Sequence, residues 1–298
     1  MPKISLGLYG LQNWFGGDFA PVVDVVRTAE SKGFDQVSIT DHVVMGENTH
    51  LYPYGPFPAP LDFPWFEPLV VLSAIASATK KIRLSTGVLI SPLRPAVLLA
   101  KQLATLDHMS HGRVTIGIGL GWQKEEYLAA GVPWEGRYTR LDEQVKVCKQ
   151  LWSQAPASFQ GQTVQYDRIH SVPFPTQKGG IPIWFGLKPT DRNIERMAEF
   201  GDGLIPMEQD PARLKVIIDK LKAAYTARGR DPKTLGVRVV PKPAFTAAGV
   251  PDLEGTLAGI PALLAAGVTM IEFLPIMFCR GAEDFPAFCD RVLEVKSR

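Results

Sequence analysis

The sequence predicts an α/β protein: a closed (β/α)8 TIM barrel covering residues 1–298 as one domain, with insertions after strand 2 and before strand 5. Three observations point there. Near-continuous apolar runs alternate with amphipathic helical patterns from end to end, eight such βα units can be counted, and no linker divides them. A doubly wound open sheet is the structural alternative, but it would usually divide so long a chain into two domains.

"ISLGLY" (4–9) reads as a buried strand. Asp18 can cap a helix whose apolar positions Val22, Val23, Val26 and Ala29 recur at helical spacing until Gly33 ends it. "DQVSIT" is the second strand. Helix 66–79, strand "IRLSTGVLI" (82–90), helix 96–109 and strand "RVTIGIG" (113–119) follow, with Gly and Pro at the joints. Then come helix 139–153, strand "IPIWFG", helix 191–200, strand "DGLIPM" and the long helix 211–228. Strand "GVRVVPKPAF", helix 252–266, strand "VTMIEFLP" and helix 282–295 complete the count. Two stretches are surplus to a minimal barrel. One is the loop from Asp41 to Trp65; the other, Ala155 to Gly180, reads as a β-hairpin or excursion before strand 5.

The 298 residues, 46% hydrophobic, can bury a full core. The 32 basic and 30 acidic residues are mixed without blocks and leave a net charge of +2, too balanced for a nucleic-acid footprint. The N-terminus enters a strand directly, without the apolar core of a signal peptide, and no later apolar run could span a bilayer. A cytoplasmic protein with no membrane and no nucleic-acid partner is the expectation. Cys148, Cys279 and Cys289 are odd in number and lack C-x-x-C spacing, which argues against a disulfide framework or a zinc site.

In a barrel, ligands bind at the C-terminal ends of strands, so residues just after each strand are the candidates. Gly117, Gly119 and Gly121 fail the Rossmann fingerprint, because counting from Gly117 its last glycine falls on Trp122. What survives is a strand running through side-chain-free backbone into a helix N-terminus, a place that favours an anion such as phosphate. After strand 2, Asp41 and His42 offer an acceptor beside a titratable imidazole, the pair needed to move a proton near neutral pH. His108 and His111 sit in a last helical turn, which the helix dipole favours without any metal, and no further ligand clusters with them. Tyr52, Tyr54, Phe57, Phe63, Trp65 and Phe66 form either a lid over an apolar substrate or a loop stapled onto the barrel. No G-x-S-x-G elbow supports serine hydrolase chemistry.

"SITDHV", then "LSTGVLISPLRPAVLLAKQLATLDHMSHGRVTIGIGLGW", "EEYLAAGVPWEGRYTRLDE", and "GIPIWFG" followed by "AEFGDG" resemble the bacterial luciferase-like monooxygenase family. The likeness is closer to its branch of oxidoreductases dependent on the deazaflavin coenzyme F420, and it runs in order from about residue 4 to 207. The resemblance implies a (β/α)8 barrel that binds its coenzyme across the mouth, with the phosphate at the turns after strands 4 and 5. Carried onto this chain, it places Gly119, Leu120, Gly121 and Trp122 at the cofactor, joined by Gly186, Leu187 and Lys188. Thr86, Gly87 and Val88 would lie beneath the ring, with a cis peptide between Gly87 and Val88. It implies His42 as general acid or base, Asp41 as its neighbour or a ring contact, and Trp122 with Glu126 behind it walling the substrate side.

The implied activity is hydride transfer between coenzyme F420 and a small organic substrate, in a homodimer. The alternatives are an FMN-dependent monooxygenase using O2 and reduced flavin from a partner reductase, and a non-catalytic barrel that sequesters the coenzyme. Flavin users of the family often have arginine inside the strand-4 turn. Leu120 stands there, which favours the deazaflavin. Leu187 follows Gly186 where many relatives have a second glycine, with Lys188 to supply charge instead, and Gly46 stands where the sugar-phosphate dehydrogenase of the family has tryptophan, so that substrate does not transfer.

Overall fold

Each of the eight apolar runs forms a short strand in the computed structural model, which describes residues 1–297. Strands 1 to 8 are Lys3–Gly7, Gln36–Ile39, Arg83–Thr86, Val114–Gly119, Ile183–Phe185, Gly203–Leu204, Gly236–Val239 and Met270–Phe273. Every neighbouring pair is parallel, and strand 1 pairs with both strand 2 and strand 8, so the sheet closes into a barrel. The expected fold class is therefore the observed one.

Outside the barrel lie α1 (Val22–Lys32), α2 (Pro68–Ala78), α3 (Ala96–Met109), α4 (Lys124–Ala129), α5 (Arg137–Leu151), α6 (Asp191–Phe200) and α7 (Pro211–Ala227), followed by α8 (Leu253–Ala258), α9 (Ile260–Ala265) and α10 (Phe285–Leu293). Their buried residues fall on one face, as Val22, Val25, Val26 and Ala29 do in α1, and cover the outward side chains of the strands. In strand 1, Ile4 and Leu6 take that outer role while Ser5 alternates inward, the two-residue period of a strand.

The interior is polar at mid-height. Ser5 and Ser38 donate to Glu272 Oε2 at 2.9 and 2.6 Å, and Arg238 Nε lies 3.2 Å from the same oxygen. Arg238 also donates to Ser85 Oγ at 3.0 Å and to the Thr86 carbonyl at 2.8 Å. Both charges are buried, a condition that requires partners on every side. The result is a fixed seat for the end of strand 3, just below Gly87.

Three local expectations change. Asp18 does not cap α1: its carboxylate accepts from Ala20 N at 2.9 Å in the turn before it, and the helix starts at Val22 after Pro21. The helix expected over 252–266 is two, α8 and α9, meeting at Gly259, because Pro261 has no N–H to donate and its ring clashes with the carbonyl four residues back. The run 236–245 leaves the barrel at Val239, since Pro241 and Pro243 cannot extend a ladder; Ala244–Phe245 pairs instead with Pro251–Asp252.

Both insertions lie where expected. Ala157–Gln160 and Gln165–Ile169 form an antiparallel hairpin, whose tip is held by Glu143 of α5 through Gln162 N (2.6 Å) and Thr163 N (2.7 Å). The loop after strand 2 contains only the 3-10 turn Thr49–Leu51 before α2. Among the described residues no helix is long and apolar enough to cross a membrane.

Gly117 marks the tightest approach between strands 3 and 4: a Cβ there would meet the Thr86 carbonyl oxygen at 2.2 Å, and backbone cannot give way cheaply. Gly117→Ala is expected to destabilise the fold by about 3 kcal/mol, the upper range for overpacking. Gly259→Ala, where the nearest atom is 3.5 Å away, should cost under about 0.5 kcal/mol. Urea unfolding midpoints of the two variants check this; equal midpoints would contradict it.

Candidate active site

His42 leaves the C-terminal end of strand 2 with its ring only 11% exposed, and its Nδ1 lies 3.2 Å from Glu126 Oε2. Glu126, in the first turn of α4, is wholly buried, and its other oxygen accepts from Val43 N at 2.6 Å. A buried carboxylate must be saturated with donors, so Glu126 fixes both the backbone after His42 and the orientation of its ring. With Nδ1 donating to Glu126, Nε2 is left without a protein partner among the described residues, and it is the nitrogen able to exchange a proton.

The same short segment holds the lid. Gln123 clasps Gly46 in both directions, accepting from its N–H at 2.7 Å and donating to its carbonyl at 2.9 Å. Glu125 accepts from the Asn48 side chain. Three residues of the strand-4 turn and α4 therefore grip three points of the loop after strand 2.

Asp41 has another task than the one expected. Its carboxylate forms a two-pronged pair with Arg94 (2.7 and 3.0 Å) and accepts from Ile90 N at 2.8 Å, at a site where Asp41 is 4% exposed. Arg94 also reaches Glu67 at 2.9 Å. The aspartate ties strand 2 to the segment after strand 3, and the hydrogen bonds it makes go to Arg94 and Ile90, none to the His42 ring.

The Gly87–Val88 peptide is cis, as the resemblance implied. Val88 wedges between two glycines: a Cβ on Gly119 would meet it at 2.7 Å, and one on Gly186 at 2.6 Å. These two glycines make room for Val88, a reason for their bareness that the sequence reading did not include. Gly121, with φ of +66°, makes the turn into α4. Leu120 and Leu187 bury their side chains in the core, so what they offer a ligand is backbone. Tyr127 donates to the Leu120 carbonyl at 2.6 Å, and burial pushes its phenol well above the ordinary range. The Thr86 hydroxyl is committed to the Gly117 carbonyl at 2.5 Å. Lys188 is exposed and, among the described residues, free of any carboxylate, beside the Thr190 cap that opens α6.

The aromatic loop folds over His42. Trp65, Phe57 and Trp122 surround its ring with centroids at 4.7, 5.9 and 6.4 Å, each edge-on. Tyr52 packs on Phe57 and Trp122 at 5.2 and 5.3 Å, and burial raises its phenol pKa, which keeps it neutral. Phe66 is not part of this group: it packs on Phe19 at 4.4 Å. Tyr9, not anticipated, joins it by stacking on Phe63 at 5.0 Å and donating to the Pro58 carbonyl at 2.8 Å. Its position just past strand 1 was a signal that could have found it. After strands 6 and 7 a separate cavity of about 560 Å³ lies against α7, α8 and α9, with a mixed lining that includes Glu208, Arg213, Lys242, Met207 and Leu263. His108, away from the mouth, donates to the Phe174 carbonyl at 2.6 Å.

An imidazole oriented by a buried carboxylate, at the strand ends of a barrel and beneath an apolar cover, is equipped to move a proton on a small molecule shielded from water. The model of the family described as luciferase-like monooxygenase matches residues 7–250. An uncharacterized protein of Mycobacterium tuberculosis is 33% identical over 272 residues, 89% of this chain and 90% of that one. The FMNH2-dependent dimethylsulfone monooxygenase of Pseudomonas putida is 30% identical over 167 residues, 55% of this chain and 45% of that enzyme. The coenzyme F420-dependent tetrahydromethanopterin reductase from Methanopyrus kandleri superimposes with a TM-score of 0.74 at 18% identity, covering 98% and 97% of the two chains.

Because Asp41 is a buried structural anchor, Asp41→Asn leaves Arg94 short of a counter-charge. It is expected to lower stability by about 3 kcal/mol, as for other broken buried pairs. Chemical denaturation reads the loss, and unchanged stability would return Asp41 to a role in ligand contact.

Proposed function

This chain belongs to the luciferase-like monooxygenase family, and on that premise we propose that it is an oxidoreductase passing hydride between coenzyme F420 and a small organic substrate. The observation that carries the reading is the His42–Glu126 pair, with Nδ1 anchored and Nε2 free at the barrel mouth. A barrel that only sequestered a coenzyme would have no use for a buried carboxylate aimed at an imidazole.

The residues present fit such a coenzyme. Lys188 is a cation without a partner among the described residues at the strand-5 turn, where a phosphate would sit, with Thr190 and the N-terminus of α6 beside it. Gly119, Gly121 and Trp122 border the strand-4 turn, and Thr86, Gly87 and Val88 form the floor between the two turns. Leu120, buried hydrocarbon at a place where flavin users often have arginine, favours the deazaflavin. When bound, the coenzyme supplies or accepts the hydride.

The chain's own work is the rest. The floor and the aromatic cover hold the reacting carbons together and keep water out. If a carbonyl is reduced, its carbon gains the hydride and its oxygen takes the proton carried on His42 Nε2; in the other direction Nε2 accepts the proton of the alcohol. Glu126 steadies the imidazolium through Nδ1, and Trp122 walls the substrate. The same reading takes the chain as a single-domain, homodimeric, cytoplasmic enzyme whose reduced coenzyme comes from a separate reductase.

A second reading, an FMN-dependent monooxygenase using O2, is favoured by the relative from Pseudomonas putida. Calorimetric titration separates the two: the deazaflavin is expected to bind at least about tenfold more tightly than FMN, and tight FMN binding beside undetectable deazaflavin binding would replace the first reading by the second.

In His42→Gln, coenzyme affinity should stay within about twofold, because the phosphate contacts lie on other strands, while turnover falls by roughly 10²-fold or more. Normal turnover at saturation with weakened coenzyme binding would make His42 a binding residue.

A further inference from the structure

Behind the segment that receives Asp41 lies a much smaller cavity, of about 10 Å³, between α3, α5 and strands 4 and 5. Its wall is hydrocarbon from residues such as Leu99, Ile116 and Val145, broken by the polar side chains of Ser91 and Gln144. No lining residue is more than 5% exposed, so a polar atom in this wall cannot turn to bulk solvent for a partner. Yet Ser91 Oγ and Gln144 Oε1 have no hydrogen-bond partner within the protein. Each would then carry the full desolvation cost of an unmatched polar group.

The ordinary remedies are closed. Turning the Gln144 amide over gains nothing, because its Nε2 already donates to the Ser91 carbonyl at 2.9 Å and to the Arg94 carbonyl at 2.8 Å. Oε1 is therefore the end that needs a donor. Trp152, which also lines the cavity, cannot be that donor, since its indole N–H is given to the Ala100 carbonyl at 3.1 Å. The cavity is far too small for an organic ligand, and cavities that stay dry are those without polar atoms in the wall.

We propose that one water molecule is a fixed component of the protein at this place, accepting the Ser91 O–H and donating to Gln144 Oε1. About 10 Å³ is room for a single water, and two polar partners are enough to hold it. Its position gives it a task. Asp41 binds Ile90 N and the Arg94 side chain from the strand-2 side, while Gln144 binds the Ser91 and Arg94 carbonyls from α5. The water joins the Ser91 side chain to the same glutamine, so residues 90–94 are clamped from both faces. The arrangement does not depend on which coenzyme the barrel takes.

The test is a crystal structure of the full chain at a resolution that shows ordered water, together with oxygen-17 magnetic relaxation dispersion in solution. One peak is expected at about 2.7 to 3.2 Å from both Ser91 Oγ and Gln144 Oε1. In Ser91→Ala the water would keep a single strong partner in a hydrocarbon wall, so the peak should vanish and the dispersion should count one long-lived water fewer. Circular dichroism checks that the variant is folded; if it is not, the structure of the unaltered chain decides alone. No peak between the two atoms, a direct bond from Ser91 Oγ to Gln144 Oε1, or an unchanged count of long-lived waters in folded Ser91→Ala overturns the proposal.

Discussion

A carboxylate with no exposure to water cannot remain unpaired, and in this barrel that constraint is met by Glu126 across 84 residues of sequence. Its two oxygens take the Val43 amide and the His42 ring, so one side chain sets the path of the loop after strand 2 and the angle of the imidazole together. Gln123 and Glu125 extend the grip to Gly46 and Asn48. Without this short segment the aromatic cover would be an unanchored loop and the imidazole a free rotor. The barrel supplies the platform, and the buried acid makes a site of it.

The floor of that site follows similar logic with other atoms. Arg238 and Glu272 are placed where a barrel usually puts branched aliphatic residues, and serines from strands 1, 2 and 3 complete their shells. Replacing such a pair by hydrocarbon is often neutral for stability, so its presence directly under Gly87 is better understood as registration: the Thr86 carbonyl has one position available to it. Above it, Val88 and the two glycines interlock.

Much of this was legible in the chain. Alternation of buried strands and one-sided helices is a local signal, and it located the barrel, both insertions and the hairpin. The position of His42 past strand 2 was enough to mark it, because the topology sends strand ends to one face. What was not legible depended on partners distant in sequence. Asp41 read as a companion of its neighbour His42, whereas its true partner, Arg94, is 53 residues away. That Gly119 and Gly186 make room for Val88 was not legible, because Val88 comes from the segment after strand 3. The split between α8 and α9 is a different case, since Pro261 was in view and its meaning was local.

The clasp of Gln123 on Gly46 divides the loop after strand 2 into two parts with different freedoms. Residues between strand 2 and Gly46 include His42 and Val43, both held by the buried Glu126. From Gly46 to Trp65 the chain forms a cassette, gripped at Gly46, Asn48 and Pro58 and otherwise packed mainly ring against ring. Ring packing tolerates exchange of size and shape far better than a buried ion pair tolerates loss of a charge. A lineage could rewrite that cassette, and with it the molecules admitted, while the imidazole and its acid stayed as they are. On the proposed function, diversification of substrate would thereby be uncoupled from the chemistry by the grip of Gln123 and Glu125.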